Sequence, residues 1–462
     1  MLSAFCLTAP NSGEGKTTLA IGLMRLLAKK YAVQAFKCGP DYIDTSYHKI
    51  AGGNTSYNLD SWLMGEKEVA QTFYSQIKTC DIAIVEGVMG LFDGKKFDEQ
   101  KQTKSNLPPI AGSTAHIAQI LSLPLIMVID CKGMAQSIRA IVRGFQSECQ
   151  DYGLTLAGII ANNVGSEKHY AMLNESLQTW NLPPLLGYIP KNLSVSFQER
   201  QLGLTHIFPN TKENIIFENK LDELAVILSE HIDIDKLLSA TKYSQNGNAL
   251  PPAKSCKKPT KKIGIAYDEA FCFYYPQNLE ALKRIGYDCR FFSPLKDKKL
   301  PHVDALYLGG GYPEIYADKL SKNTMMCSAV KEFAENYGNI FAECGGFMYL
   351  CSSLCIKKPE AHRQRNIEQA KPKMYPLCNV IEATASMGTR LKSLGYRQGI
   401  FIEKPFFWKS DKNEFRGHEF HWSDIELSKN YAPFLEIDKK TFGIRYKNVF
   451  ASYLHFYFAH LF

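Results

Sequence analysis

Leu2-Ser-Ala-Phe-Cys-Leu-Thr-Ala-Pro-Asn-Ser-Gly-Glu-Gly-Lys-Thr-Thr18 runs from an apolar stretch through a glycine-bearing loop into a helical pattern. Leu2–Thr8 has the continuous apolar character of a strand buried on both faces. Thr18–Lys29 carries the period of a helix. A loop between a buried strand and a helix start turns backbone N–H groups toward an anion. Lys16 adds a positive charge there, and Thr17 can ligate Mg²⁺. The spacing is GxxxxGK[ST] with Pro10 in place of the first glycine, and a loop start tolerates the fixed φ of proline. Gly13, Gly15, Lys16, Thr17 and Thr18 are therefore candidate ATP-binding residues.

Working outward, Asp81–Val85, Leu125–Ile129 and Leu156–Ala161 read as further buried strands, and Ala115–Leu121 as a helix. This alternation predicts a parallel sheet covered on both faces. The pattern fades after Leu238, and Thr241–Lys262 is rich in Ser, Asn, Pro and Lys. A second alternating series follows: strand Ile263–Tyr267, helix Pro276–Ile285, and strands Ala305–Leu308 and Asn339–Glu343. The expected class is α/β, with two domains that are each a mostly parallel sheet flanked by helices. Their bounds are 1–238 and 262–462, joined by a linker over 239–261. The polar, basic segment 356–372 reads as a surface loop, and no internal repeat is found.

The bulk properties narrow the function classes. A chain of 462 residues exceeds one ordinary core. With 45% hydrophobic and 22% charged residues it has a globular, soluble composition. The net charge of +8 comes from scattered lysines, so no nucleic-acid partner is expected. No apolar run reaches the ~20 residues of a membrane span, and no signal-peptide pattern opens the chain. Thirteen cysteines without a CxxC pair indicate neither a zinc site nor a disulfide framework, and suggest a reduced, cytoplasmic setting. A homodimer stays open.

Acidic groups cluster in two glycine-bearing segments, Lys37-Cys-Gly-Pro-Asp-Tyr-Ile-Asp44 and Glu86-Gly-Val-Met-Gly-Leu-Phe-Asp93. Asp41 and Glu86, with Thr17, are candidate Mg²⁺ ligands beside the phosphates. Taken singly, each carboxylate suits an N-cap or turn equally well. Either Tyr42 and Ile43 shape an acceptor pocket, or Ile43 packs into the core and Tyr42 caps the loop. Asn162 either reads an adenine edge or makes a turn, and Asp130 either supports the metal or caps the next segment.

A second site is legible near the end. Phe341-Ala-Glu-Cys-Gly-Gly346 reads as a strand that breaks into a sharp turn and exposes Cys344, a nucleophile elbow. A thiol nucleophile needs a base and an oxyanion hole. His455, in Ala451-Ser-Tyr-Leu-His455, is the candidate base. Backbone N–H groups of Gly311, from Gly309-Gly-Gly311, and of Gly345 are the candidate oxyanion donors. Glutaminases of the triad type often show His-x-Glu, whereas this chain has Tyr457 at that position. His418 and His421 are further candidates for substrate contact.

These segments, with Leu308-Gly-Gly-Gly-Tyr-Pro-Glu314, Leu394-Gly-Tyr-Arg397 and Arg416-Gly-His-Glu-Phe-His421, resemble the cobyrinic acid a,c-diamide synthases over nearly the whole chain. The resemblance implies a dethiobiotin-synthetase-like, P-loop NTPase-like first domain and a class I glutamine amidotransferase second domain. It implies Cys344 as nucleophile and His455 as its activator. It also implies that Asp41, Tyr42, Ile43, Asp44, Glu86 and Asp93 line a site for ATP, Mg²⁺ and a carboxylate substrate. The implied function is ATP- and glutamine-dependent amidation of the a and c carboxylates of cobyrinate through acyl phosphates. The partners would be glutamine, ATP and a tetrapyrrole polycarboxylate. Two other readings stay open: the same chemistry on nickel-sirohydrochlorin, and a P-loop regulatory ATPase whose second domain binds a ligand. The family commonly ends in His-x-His, and Tyr457 departs from that.

Overall fold

Six consecutive buried residues make Ser3–Thr8 (β1) the kind of strand that only a two-sided sheet accommodates. A computed structural model describes residues 2–95, 110–191, 199–200, 203–204, 207–208, 211–244, 258–356 and 372–459. Most of the expected surface loop 356–372, and residues 245–257 of the expected linker, lie outside the described residues. The chain divides into two compact units, 1–252 and 253–462. A helix over Ile234–Ala240 runs past residue 238, where the apolar pattern fades.

In the first unit β1 is joined by Val33–Cys38 (β2), Tyr57–Leu59 (β3), Ile82–Glu86 (β4), Leu125–Asp130 (β5), Leu156–Val164 (β6) and Leu185–Pro190 (β7). Their order is β3-β2-β4-β1-β5-β6-β7, and every pairing is parallel. The chain builds one side of β1, then the other. Ligands in such sheets bind at the carboxyl ends near that switch. Helix Lys16–Ala28 (α1) covers one face and packs on Lys212–His231, with Gly22 at the contact. A Cβ at Gly22 would lie 2.5 Å from Leu228, so only glycine lets the two helices meet this closely. Arg25 adds two 2.9 Å hydrogen bonds to Asp222 across the same contact.

The second unit holds a six-stranded sheet. Its strands are Lys261–Ala266 (β8), Tyr287–Phe292 (β9), Ala305–Leu308 (β10), Asn339–Glu343 (β11), Ile444–Tyr446 and Val449–Ser452. The first four order as β9-β8-β10-β11, and Val449–Ser452 then pairs parallel with β11. Ile444–Tyr446 closes the edge antiparallel. The unit also contains antiparallel structure that the apolar pattern does not announce. Ser393–Phe401 and Glu414–His421 form a long hairpin, and His455–Phe456 pairs with its second strand. Most of Ser393–Phe401 is only half-buried or exposed. A strand with one wet face has no continuous apolar run to betray it.

Candidate active sites

The phosphate loop is shaped by glycine. Gly13 and Gly15 have φ of 87° and 94°, a left-handed backbone that L side chains rarely adopt. Gly15 caps α1 without a side-chain hydrogen bond, leaving the first N–H groups of the helix available to an anion. Lys16 is nearly buried, and its Nζ donates to the Asn11 carbonyl at 3.0 Å. Burial, then the nearby Lys37 charge, lower its affinity for a proton. An arriving phosphate would relieve both effects. Thr18 follows in the first turn of α1.

Asn162, near the end of β6, packs against this loop. Its Nδ2 donates to the Glu14 carbonyl at 2.8 Å, and its Oδ1 accepts from Asn163 N–H at 2.8 Å. A Cβ at Gly15 would sit 2.4 Å from that same Nδ2. Both ends of the amide are thus engaged in bracing the loop. Asp130 accepts from Lys132 N–H and from Asn163 Nδ2, both at 2.9 Å, which is the capping role.

Behind the loop lies a buried charge network. Glu86 is fully buried at the end of β4. Its Oε1 accepts from Thr17 Oγ1 at 2.6 Å and from Lys37 Nζ at 2.8 Å, and its Oε2 meets His48 Nε2 at 2.6 Å. Lys37 Nζ also lies 2.5 Å from Asp44 Oδ2. Burial alone would neutralise Lys37, but Asp44, Glu86 and Asp41 outweigh it and hold the ammonium charged. Burial likewise opposes ionisation of Glu86, yet Lys37 and then His48 keep its carboxyl far below the usual range. One ammonium cannot satisfy two carboxylates. Burial and the neighbouring Asp41 push Asp44 up to about 8.

The other carboxylates serve local turns. Asp41 Oδ1 accepts the N–H groups of Ile43 and Asp44 at 2.7 and 2.9 Å, opening the helix Asp44–Gly52. Asp93 Oδ2 accepts from Gly90 N–H at 2.8 Å. A Cβ on Gly90 would lie 2.5 Å from the Pro10 carbonyl, so this turn packs directly on the phosphate loop. Tyr42 is buried, and Ile43 packs against the core of the first unit. For Ile43 the core alternative is therefore the one seen: an apolar side chain beside a helix start is driven inward.

Among the described residues no group of three or more His, Cys, Asp or Glu side chains could hold a metal. A divalent ion here would therefore lean on phosphate oxygens and water, which is how Mg²⁺ is ordinarily held. The hard oxygens of Thr17 and Glu86, 2.6 Å apart, fit that arrangement. Both carboxylates are already engaged: the two oxygens of Glu86 meet Thr17, Lys37 and His48, and Asp41 Oδ1 takes two backbone N–H groups.

In the second unit the strand β11 ends at Cys344, whose φ of 47° and ψ of −106° lie outside the ordinary regions for a side-chain-bearing residue. The helix Gly345–Leu350 starts at once. Cys344 N–H donates to the Ser452 carbonyl at 2.8 Å, and the Cys344 carbonyl accepts from Met348 N–H at 3.1 Å. A Cβ at Gly346 would lie 2.1 Å from the Leu308 carbonyl, so the elbow is pressed onto the end of β10. Burial, then the Glu314 charge, push the thiol up to about 12, against a hydrogen bond from Gly345 N–H.

The glycine triplet after β10 supplies close approach at each position. A Cβ at Gly309 would strike the Tyr274 ring at 2.5 Å, one at Gly310 would lie 2.4 Å from His455 Cε1, and one at Gly311 would lie 2.2 Å from the Ala270 carbonyl. Gly311 N is 3.2 Å from the Cβ position of Gly345. The fold thus gathers Cys344, Gly345, Gly310, Gly311 and His455 at the carboxyl ends of neighbouring strands. His455 stacks on His418 with centroids 4.9 Å apart and planes 14° from parallel. Burial, then the His418 and His421 rings, lower its pKa well below the usual imidazole value. Burial thus favours the uncharged form of both the thiol and the imidazole. Gly310→Ala should push that ring aside and cut glutaminase kcat by roughly 10². Steady-state glutamate release, with thermal unfolding as the control for folding, checks it.

Comparison with known proteins follows the same division. Residues 5–202 match the family model described as the CobQ/CobB/MinD/ParA nucleotide binding domain, and residues 262–461 match the CobB/CobQ-like glutamine amidotransferase domain. The cobyrinate a,c-diamide synthase of Caldanaerobacter subterraneus subsp. tengcongensis is 36% identical, covering 98% of this chain and 95% of its own. Those of Picrophilus torridus and Listeria innocua are 35% and 37% identical, each covering 99% of this chain and 96% of their own. The chain belongs to the cobyrinate a,c-diamide synthase family. The family frame makes both halves intelligible as one α/β enzyme with a nucleotide-binding unit and an amidotransferase unit.

Three contributors escaped the sequence reading. Lys37 and Glu343 are charged residues buried in strands, a placement rare enough to have served as a signal. Gly310 had no separate signal, since its need arises from a histidine far away in sequence. The Leu394–Arg397 and Arg416–His421 motifs prove to be two strands of one hairpin, with Arg397 opposite Gly417. A Cβ at Gly417 would lie 2.6 Å from the His455 carbonyl.

Proposed function

We propose that this protein catalyses the ATP- and glutamine-dependent amidation of the a and c carboxylates of cobyrinate. The observation that carries the reading is its near-full-length likeness to cobyrinate a,c-diamide synthases. The thiol elbow and the phosphate loop supply the chemistry. Cys344 attacks the side-chain amide of glutamine while His455 takes the thiol proton and passes it to the departing ammonia. Backbone N–H groups of Gly311 and Gly345 receive the developing oxyanion. Water then releases glutamate from the thioester.

In the first unit a carboxylate of the acceptor attacks the γ-phosphate of ATP, giving an acyl phosphate and ADP. Ammonia displaces phosphate and leaves the amide. Lys16 and the N–H groups of Gly13, Gly15, Thr17 and Thr18 hold the transferring phosphoryl group. Mg²⁺, held by Thr17 and Glu86 when bound, neutralises phosphate charge. Lys37 keeps Glu86 ionised for that task. Tyr42, Asp44 and Asp93 belong to the acceptor side. A protonated Asp44 can donate a hydrogen bond to an incoming carboxylate, which an ionised one would repel.

Cobyrinate and nickel-sirohydrochlorin offered in competition, with ATP and glutamine, test the acceptor. Mass spectrometry should find monoamide and then diamide of cobyrinate. Amidation of nickel-sirohydrochlorin alone would overturn the assignment. ATP hydrolysis without any amide product would favour a regulatory ATPase.

A further inference from the structure

A glutaminase histidine needs something to fix it, and the His-x-Glu position holds Tyr457. Glu343 stands immediately before the nucleophile and is only 1% exposed. Its Oε1 accepts from the Phe456 N–H at 2.9 Å, and its Oε2 accepts from the Tyr307 hydroxyl at 2.7 Å. Phe456 directly follows His455. On the far side Asn278 closes the grip: its Nδ2 donates to the Phe456 carbonyl at 2.7 Å, and its Oδ1 accepts from Phe458 N–H at 3.0 Å. The backbone of His455–Phe456 is held edgewise by pairing with His418 and Gly417. The imidazole itself is confined by the His418 stack and by Gly310.

We propose that Glu343 is the positioning residue for His455, acting through the Phe456 N–H rather than through the imidazole. The inference rests on the reading of Cys344 and His455 as a glutaminase pair. A single side chain ties the end of the nucleophile strand to the segment bearing the base. Any shift of one is then carried to the other. A carboxylate placed after the histidine would orient the ring directly. Here the backbone is clamped, and the ring follows because its other contacts leave it no room. Burial pushes the Glu343 carboxyl up to about 8, against the hydrogen bonds from Phe456 and Tyr307. What the clamp requires is reach, since one side chain must meet both donors.

Two substitutions separate reach from charge. Glu343→Gln keeps an oxygen for Phe456 N–H and turns its amide toward the Tyr307 oxygen. Glu343→Asp keeps the carboxylate but is one methylene too short to reach both donors. Glutaminase kcat in Glu343→Gln should stay within about threefold of the parent, and in Glu343→Asp it should fall at least about tenfold, with KM for glutamine within about twofold. An active Asp variant beside an impaired Gln variant would mean that charge matters, and would overturn the proposal. So would parental kcat in both. Cys344→Ser, measured in parallel, guards the underlying reading: if it still hydrolyses glutamine, the glutaminase assignment fails, whatever Glu343 does.

Discussion

Cys344→Ser should abolish glutamine-dependent amidation and leave ammonia-dependent amidation largely intact. The hydroxyl is a far weaker nucleophile than the thiol it replaces. His455, held near neutral imidazole by burial, offers too weak a base to ionise a serine. The loss should be at least about 10³-fold, in keeping with removal of a covalent nucleophile. The phosphate loop lies in the other compact unit, so its chemistry needs only ammonia. Amide formation is followed by mass spectrometry with glutamine or with ammonium salt. Equal loss of both activities in a folded variant would show that the division of labour is wrong.

Lys16→Ala should produce the converse. Synthetase turnover should fall by about 10² or more with either nitrogen source, because a preorganised charge on the transferring phosphoryl group is gone. Basal glutaminase should survive. The side chain is nearly buried and its partner is a backbone carbonyl, so its removal disturbs no ion pair. Glu86→Gln is a poorer probe of the same site. It takes the carboxylate away from buried Lys37 and His48 together and should cost stability as well as turnover. Normal ATP-dependent amidation by Lys16→Ala would remove Lys16 from the site.

The α/β class, the phosphate loop and the thiol elbow were legible in the amino-acid order because each is a local event. A buried parallel strand needs an unbroken apolar run, as Ala4-Phe-Cys-Leu7 gives. A left-handed loop needs glycine at positions such as 13 and 15. A strand that breaks into Gly345-Gly346 after a cysteine announces a turn. What stayed hidden was whatever depends on a partner distant in sequence. That Asn162 meets the Glu14 carbonyl, 148 residues away, is set by the fold. Ile43 was open between an acceptor pocket and the core, and only the fold sets it against the core of the first unit. The antiparallel hairpin of the second unit has one wet face and so leaves no apolar run to read. Lys37, Glu86 and the helix that bears Asp44 and His48 come from three segments, and only their packing brings these charges together. Glu343 and His455 lie 112 residues apart. The sequence by itself determined that a thiol and a base are present. Strand pairing alone decided what braces the base, because hydrogen bonds to a backbone N–H leave no trace in the order of side chains.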